Sequence, residues 1–232
     1  MIHAVLFDLD GTLLDIDLQG FLREYFALLG PELARLVHTD EKTALEAVMQ
    51  ATAAMCEPHV GRTNRSVFEE HFLKLTGADL ADPVTRSTLA TFYESSFPSL
   101  KAGNGPRDGA ASAVAATRGH GLKCALATNP IFPYAAVAER VRWAGFSPDQ
   151  FDLVTSYENS EACKPLPHYF RQIAELLGVA PDACLMVGDD PMLDMAAADV
   201  GMRTFYVGGL PGVTSTWSGS IADLDDLLTR VL

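Results

Sequence analysis

Phe7-Asp8-Leu9-Asp10-Gly11-Thr12-Leu13-Leu14-Asp15 decides how this chain is read. It follows the apolar run Ala4-Val5-Leu6-Phe7, which predicts a buried β-strand. Side chains alternate along a strand, so Asp8 and Asp10 share one side while Phe7 and Leu9 share the other. Gly11 then permits a turn that most residues resist. Two carboxylates so placed repel each other by about 1 kcal/mol at 4 Å in water, and by about 4 kcal/mol at an effective dielectric near 20. A compensating cation is needed, and a divalent metal or a lysine would serve.

Beyond this stretch, short apolar runs alternate with helical patterns from about Lys123 onward. Strands are expected at 123–128, 152–156, 184–188 and 204–207. Helices are expected at 133–143, 167–177, 191–200 and 221–231, several of them stopped by a glycine such as Gly145, Gly178 or Gly201. Strand, helix, strand in repetition predicts an α/β fold: a doubly wound parallel sheet covered on both faces. Ligands of such sheets bind beyond the carboxyl ends of the strands. Between Asp15 and about Pro98 the rhythm changes to long amphipathic stretches, at 18–29, 42–55 and 66–75, with no clear strand. A helical insertion at that point would sit over the end of the first strand, where a lid belongs. The expected division is a core of residues 1–15 and 99–232 and an inserted helical unit of residues 16–98, with 108–118 as the helix leading back to the sheet.

Composition narrows the partners. The 232 residues are 48% hydrophobic, ample for a core, and carry a formal charge of -13, which argues against a nucleic-acid partner. No apolar stretch approaches the ~20 residues of a membrane span, and no basic-then-apolar leader is visible. Cys56, Cys124, Cys163 and Cys184 lack C-x-x-C spacing and read as buried thiols of a reducing cytoplasm. The six histidines show no ligand spacing, so no zinc site is expected.

Each later strand ends in groups suited to phosphoryl chemistry. Thr128-Asn129 offers a hydroxyl and backbone N–H groups to phosphate oxygens, although such a pair also caps helices. Lys164, before Pro165, would neutralise a phosphate and Asp8 together. Gly188-Asp189-Asp190-Pro191-Met192-Leu193-Asp194 adds three carboxylates near a helix start, suited to an oxygen-seeking cation such as Mg²⁺.

These four stretches, in this order, resemble the four motifs of the haloacid dehalogenase superfamily. The resemblance covers about two-thirds of the chain, and the insertion has the size and helical character of that superfamily's first-type cap. It implies a Rossmann-like core with a mobile helical cap and an Mg²⁺-dependent aspartyl-phosphate mechanism. Asp10, two residues after the nucleophile position, resembles the phosphatases and phosphomutases rather than the dehalogenases. By the same resemblance Asp8 is the nucleophile and Asp10 the general acid and base. Lys164, Thr128 and the N–H groups of Leu9 and Asn129 are the charge stabilisers. The metal is held by Asp8, the Asp10 carbonyl and Asp189, with Asp194 as an additional or supporting ligand; the adjacent Asp190 leaves a one-residue slip open. The expected substrate is a small phosphorylated metabolite, and the chain is a monomer or homodimer. A phosphomutase and a non-catalytic binding protein of the same fold are the competing readings. Within the insertion, the loop Val60-Gly61-Arg62-Thr63-Asn64-Arg65 offers Arg62 and Arg65 to a substrate anion; the plainer reading is a solvated loop with Thr63 or Asn64 as a helix cap. Phe21 and Tyr25, at helical spacing, read as packing before they read as substrate contacts.

Overall fold

A computed structural model describes residues 1–232. The first strand, β1 (Ala4–Phe7), is followed by the two-residue strand β2 (Leu14–Asp15). Four helices come next: α1 (Leu18–Val37), α2 (Glu41–Cys56), α3 (Asn64–Thr76) and α4 (Pro83–Thr91). A π turn and a 3₁₀ turn carry the chain on to Lys101, across the boundary expected at residue 98. Strand β3 (Gly105–Pro106) then pairs antiparallel with β2, so the chain leaves and re-enters through adjacent strands.

The remainder alternates as expected: α5 (Ala110–Gly119), β4 (Lys123–Leu126), α6 (Tyr134–Trp143), β5 (Leu153–Val154), α7 (Pro167–Leu177), β6 (Cys184–Gly188), β7 (Arg203–Tyr206), β8 (Trp217–Ser218) and α8 (Leu224–Val231). Six strands form one parallel sheet in the order β5-β4-β1-β6-β7-β8, with β1 inside it. Alternation along β1 splits the core in two. Val5 and Phe7 join a cluster of 41 buried residues that also holds the apolar faces of α1, α5, α6 and α8. Ala4 and Leu6 belong to a second cluster of 13 buried residues on the opposite face, beneath α7. No helix is long and apolar enough to cross a membrane.

Three expectations about elements are corrected. The first inserted helix does not stop at Leu29 but runs through Gly30-Pro31 to Val37. Proline removes one intrahelical hydrogen bond, yet Leu29 and Leu33 lie one turn apart on the buried face and hold the helix together across it. Residues 191–200 do not form an α-helix; a turn leads into a 3₁₀ segment at Met195–Val200. The Asp190 carboxylate accepts from the N–H groups of Met192 and Leu193, replacing helical acceptors by a side chain. Cys56, at the end of α2, is exposed, whereas the other three thiols are buried.

Candidate active site

Strand register brings the site together. Phe7 is level with Leu126 on one side and Val187 on the other, so the chain segments leaving β1, β4 and β6 emerge along one edge. The backbone keeps them in step for a further residue: the Asp8 N–H donates to Val187 O at 2.9 Å and the Ala127 N–H to Phe7 O at 2.6 Å. Asp8, Thr128 and Asp189 therefore follow as neighbours. Lys164 arrives from the loop after β5, where its N–H donates to the Asn129 side-chain oxygen at 3.1 Å. The Thr128 carbonyl accepts from the hydroxyls of Thr155 and Tyr169, both at 2.8 Å, which fixes that loop.

Lys164 is the hub. Its Nζ donates to Asp8 Oδ1 at 2.7 Å and to Asp194 Oδ1 at 2.6 Å, and its side chain is 1% exposed. Burial alone would lower its pKa, but Asp194 and Asp8 outweigh burial and raise it, so the ammonium stays charged. Asp8 is held well above the usual carboxylate range, chiefly by burial, with the charges of Asp194 and Asp10 adding to it and Lys164 opposing. Asp189 is raised as well, first by burial and then by Asp194.

The carboxylates of Asp8, Asp189 and Asp194 lie within 4.8 Å of one another. At that separation each pair repels by about 3–4 kcal/mol for an effective dielectric near 20. One ammonium against three carboxylates leaves the cluster short of positive charge. An all-oxygen acidic set of this kind fits a hard divalent cation. Two glycines clear the room for it. A Cβ on Gly11, whose φ is 85°, would strike the Asp189 carboxylate, and one on Gly188 would strike that of Asp194. Thr12 steadies Asp189 through a hydrogen bond of 3.1 Å from its hydroxyl to Oδ1. Asp190 is occupied in its own turn and stands outside this cluster.

Asp10 makes a different contact. Its Oδ2 accepts from Arg140 Nη1, on α6, across 130 residues of sequence. The Arg140 side chain is 1% exposed. Arg140 Nε and Nη2 and Asp10 Oδ1 are buried without a partner, a cost of about 1–3 kcal/mol for each such group or more when charged. Sequence reasoning missed Arg140. The available signal was a charge on the buried face of a helix, in line with Ala136, Val137 and Val141, where burial demands a partner. It also missed Arg107, which donates to Gly11 O and, at 3.4 Å, to Val207 O, bracing the loop after β1.

The two arginines of the inserted loop are not gathered to the carboxylates. Arg62 pairs with Glu70 at 2.5 Å and Arg65 with Glu69 at 2.7 Å, both on α3. Thr63 caps α3 by accepting from the Ser66 N–H at 3.2 Å. Asn64 is fully buried: its Nδ2 donates to Pro130 O at 3.0 Å and to Ala162 O at 3.3 Å. Arg65 also lines an apolar cavity of about 350 Å³ among α1 to α4, with Leu29, Phe68, Phe72 and Phe132 in its wall. Phe21 and Tyr25 pack as expected: Phe21 meets Phe97 at 5.9 Å and Trp143 at 6.0 Å between ring centres. The Tyr25 hydroxyl shares a 2.9 Å hydrogen bond with that of Tyr93.

An α/β sheet edge with an acidic cluster, a buried lysine and an Asp-x-Asp strand end defines a class of phosphoryl-transfer hydrolase, and comparison with known proteins agrees. The family model of the haloacid dehalogenase-like hydrolases matches residues 2–200. A phosphoglycolate phosphatase of Rhodospirillum rubrum is 30% identical over 199 residues, covering 85% of this chain and 76% of that protein. Among solved structures, a HAD phosphatase from Thermococcus onnurineus superposes with a TM-score of 0.61 at 22% identity, covering 98% of each chain. The L-2-haloacid dehalogenase of Xanthobacter autotrophicus scores 0.59 at 19% identity over the full length of both chains, so the fold alone does not separate the two chemistries. The chain belongs to the haloacid dehalogenase-like hydrolases, among their phosphatases.

Proposed function

We propose that this protein hydrolyses the phosphomonoester of a small metabolite through an aspartyl-phosphate on Asp8. The observation that carries the reading is Asp8 held 2.7 Å from the Lys164 ammonium, with Asp189 and Asp194 within 4.8 Å and Asp10 two residues on. An Asp8 carboxylate oxygen attacks phosphorus in line and the ester oxygen leaves. Asp10 protonates that oxygen and then, as carboxylate, takes a proton from the water that hydrolyses the acyl phosphate. Lys164, the Thr128 hydroxyl and the N–H groups of Leu9 and Asn129 stabilise charge on the equatorial oxygens. Mg²⁺, held by Asp8, Asp189, Asp194 and the Asp10 carbonyl, would supply charge neutralisation between nucleophile and phosphate.

The helical insertion, residues 16–98, acts as the cap over this site, excluding bulk water and selecting the leaving group. Arg65 is the better placed of the two loop arginines to meet a substrate, because it lines the inserted cavity. Buried thiols at Cys124, Cys163 and Cys184 support a reducing, cytoplasmic setting. Phosphoglycolate, named by the Rhodospirillum rubrum relative, heads the compounds to assay. The test is a panel of phosphorylated metabolites with and without Mg²⁺, read as free phosphate release. Asp8→Asn is expected to abolish turnover while the circular dichroism spectrum is unchanged. Undiminished release by that variant would remove Asp8 as nucleophile, and isomer interconversion without release would identify a phosphomutase.

A further inference from the structure

Arg140 is the buried charge that this chemistry leaves without a task. Its side chain is 1% exposed, and its Nη1 donates to Asp10 Oδ2. Its other two nitrogens and Asp10 Oδ1 have no partner. The guanidinium carbon lies 4.6 Å from the centre of the Phe132 ring, in the loop after β4, and 5.7 Å from that of Phe21, on α1. Stability is a poor account of such a pair. A buried ion pair seldom outperforms apolar residues of the same volume, and this one leaves three polar atoms bare.

We propose that Arg140 is a positioning residue for Asp10, resting on the phosphatase reading above. No other side chain bonds to the Asp10 carboxylate. The Gly11 N–H donates to Leu14 O at 2.8 Å and Arg107 braces the Gly11 carbonyl, so the backbone is fixed and the rotation of the Asp10 side chain is what remains to be set. Arg140 holds Oδ2 and so fixes the rotation of the Asp10 carboxylate, and with it the direction in which Asp10 gives a proton to the leaving oxygen and takes one from water. The aromatic rings of Phe132 and Phe21 hold the planar guanidinium, so the carboxylate is oriented by a rigid partner rather than by a flexible one. Arg140 never touches substrate in this account; it acts through Asp10.

The test is Mg²⁺-dependent hydrolysis of p-nitrophenyl phosphate by the full chain, with kcat and KM measured separately. Arg140→Met is expected to lower kcat about 100-fold while KM moves less than about threefold, the size of a misplaced general acid and base. Asp10→Asn loses at least as much. In the Asp10→Asn background, Arg140→Met is then expected to change kcat by less than about twofold, because a positioning residue has nothing left to position. Arg140→Lys, which keeps the charge but not the planar fork, is expected to fall between wild type and Arg140→Met, and it decides the matter if the methionine variant does not fold. A kcat unimpaired in both Arg140 variants overturns the proposal, as does a further loss of about 100-fold on top of Asp10→Asn, the additive result expected of a purely structural residue. An inactive wild type overturns the phosphatase reading and this proposal together, which separates the two failures.

Discussion

Asp8 and Asp189 bind protons more tightly in the folded protein than in the unfolded chain, whose carboxyls sit near 3.8. The sign of the consequence follows from counting protons. Between 3.8 and the raised values the native state holds protons that the unfolded state has released, so the metal-free protein loses stability as pH climbs through that window. Lys164, raised above 10.5, contributes no slope there because it is charged in both states. A divalent cation bound among these carboxylates would compete with those protons and relieve their mutual repulsion. The increase in Tm on adding Mg²⁺ is therefore expected to be small at about pH 4.5 and larger at about pH 7.5, relative to chelator at each pH. Thermal denaturation checks it, and equal increments at both pH values would contradict the cluster as the cation's seat. How legible these residues were depends on their local context. Asp8, Asp10 and Asp189 follow short apolar strands, a pattern visible over a few residues. Arg140 meets Asp10 only after α6 has packed, so nothing beside it in the sequence announces its partner.

Helix α3 shows how a segment of the insertion is stitched to the loops after β4 and β5. The Asn64 N–H donates to Ser160 O and the Arg65 N–H to Tyr157 O, both at 2.7 Å. The Asn64 side chain adds its bonds to Pro130 and Ala162, the loops that carry Asn129 and Lys164. Asn64→Ala leaves two carbonyls without their donor, and a loss of about 2–6 kcal/mol is expected at about 1–3 kcal/mol per abandoned group. Urea unfolding measures it, and a lower kcat should accompany it because Lys164 stands beside Ala162 and Cys163. Most of the secondary structure was legible: glycine stops and alternating apolar runs placed β1, β4, β6, α6 and α7 within a few residues. Helix α4 was not singled out, since none of its residues is buried and its apolar pattern is weak, although Asp82-Pro83 marks its start as an N-cap followed by proline. Residues 191–200 were misjudged because their pattern is helical while Asp190 and Asp194 are drawn to the turn and to Lys164.

Residues of the helical insertion and of the sheet share a single cluster of 41 buried side chains, with Phe7 and Leu126 at one end and Leu29 and Phe72 at the other. Phe97 lies within it, fully buried and stacked on Trp143 at 5.5 Å. Shared burial of this kind predicts one cooperative unfolding transition, with near- and far-ultraviolet dichroism changing together. Phe97→Ala is expected to cost about 3–5 kcal/mol and to shift both signals alike. Two separated transitions would show that the insertion melts alone. The general plan, a doubly wound sheet with a helical insert after its first strand, was legible from periodicity; the aromatic seam that joins the two was not, because its rings come from α1, the turn at Phe97 and α6.

The pairing of Leu14 with Pro106 and of Asp15 with Gly105 makes the whole insertion topologically the loop of a hairpin. A hairpin tolerates loops of very different length, since closure entropy grows only logarithmically with the number of residues enclosed. Threading alone therefore lets the number of enclosed residues change without re-routing a strand, whereas any exchanged insert would have to rebuild what Asn64 and Phe97 do against the loops and helix below.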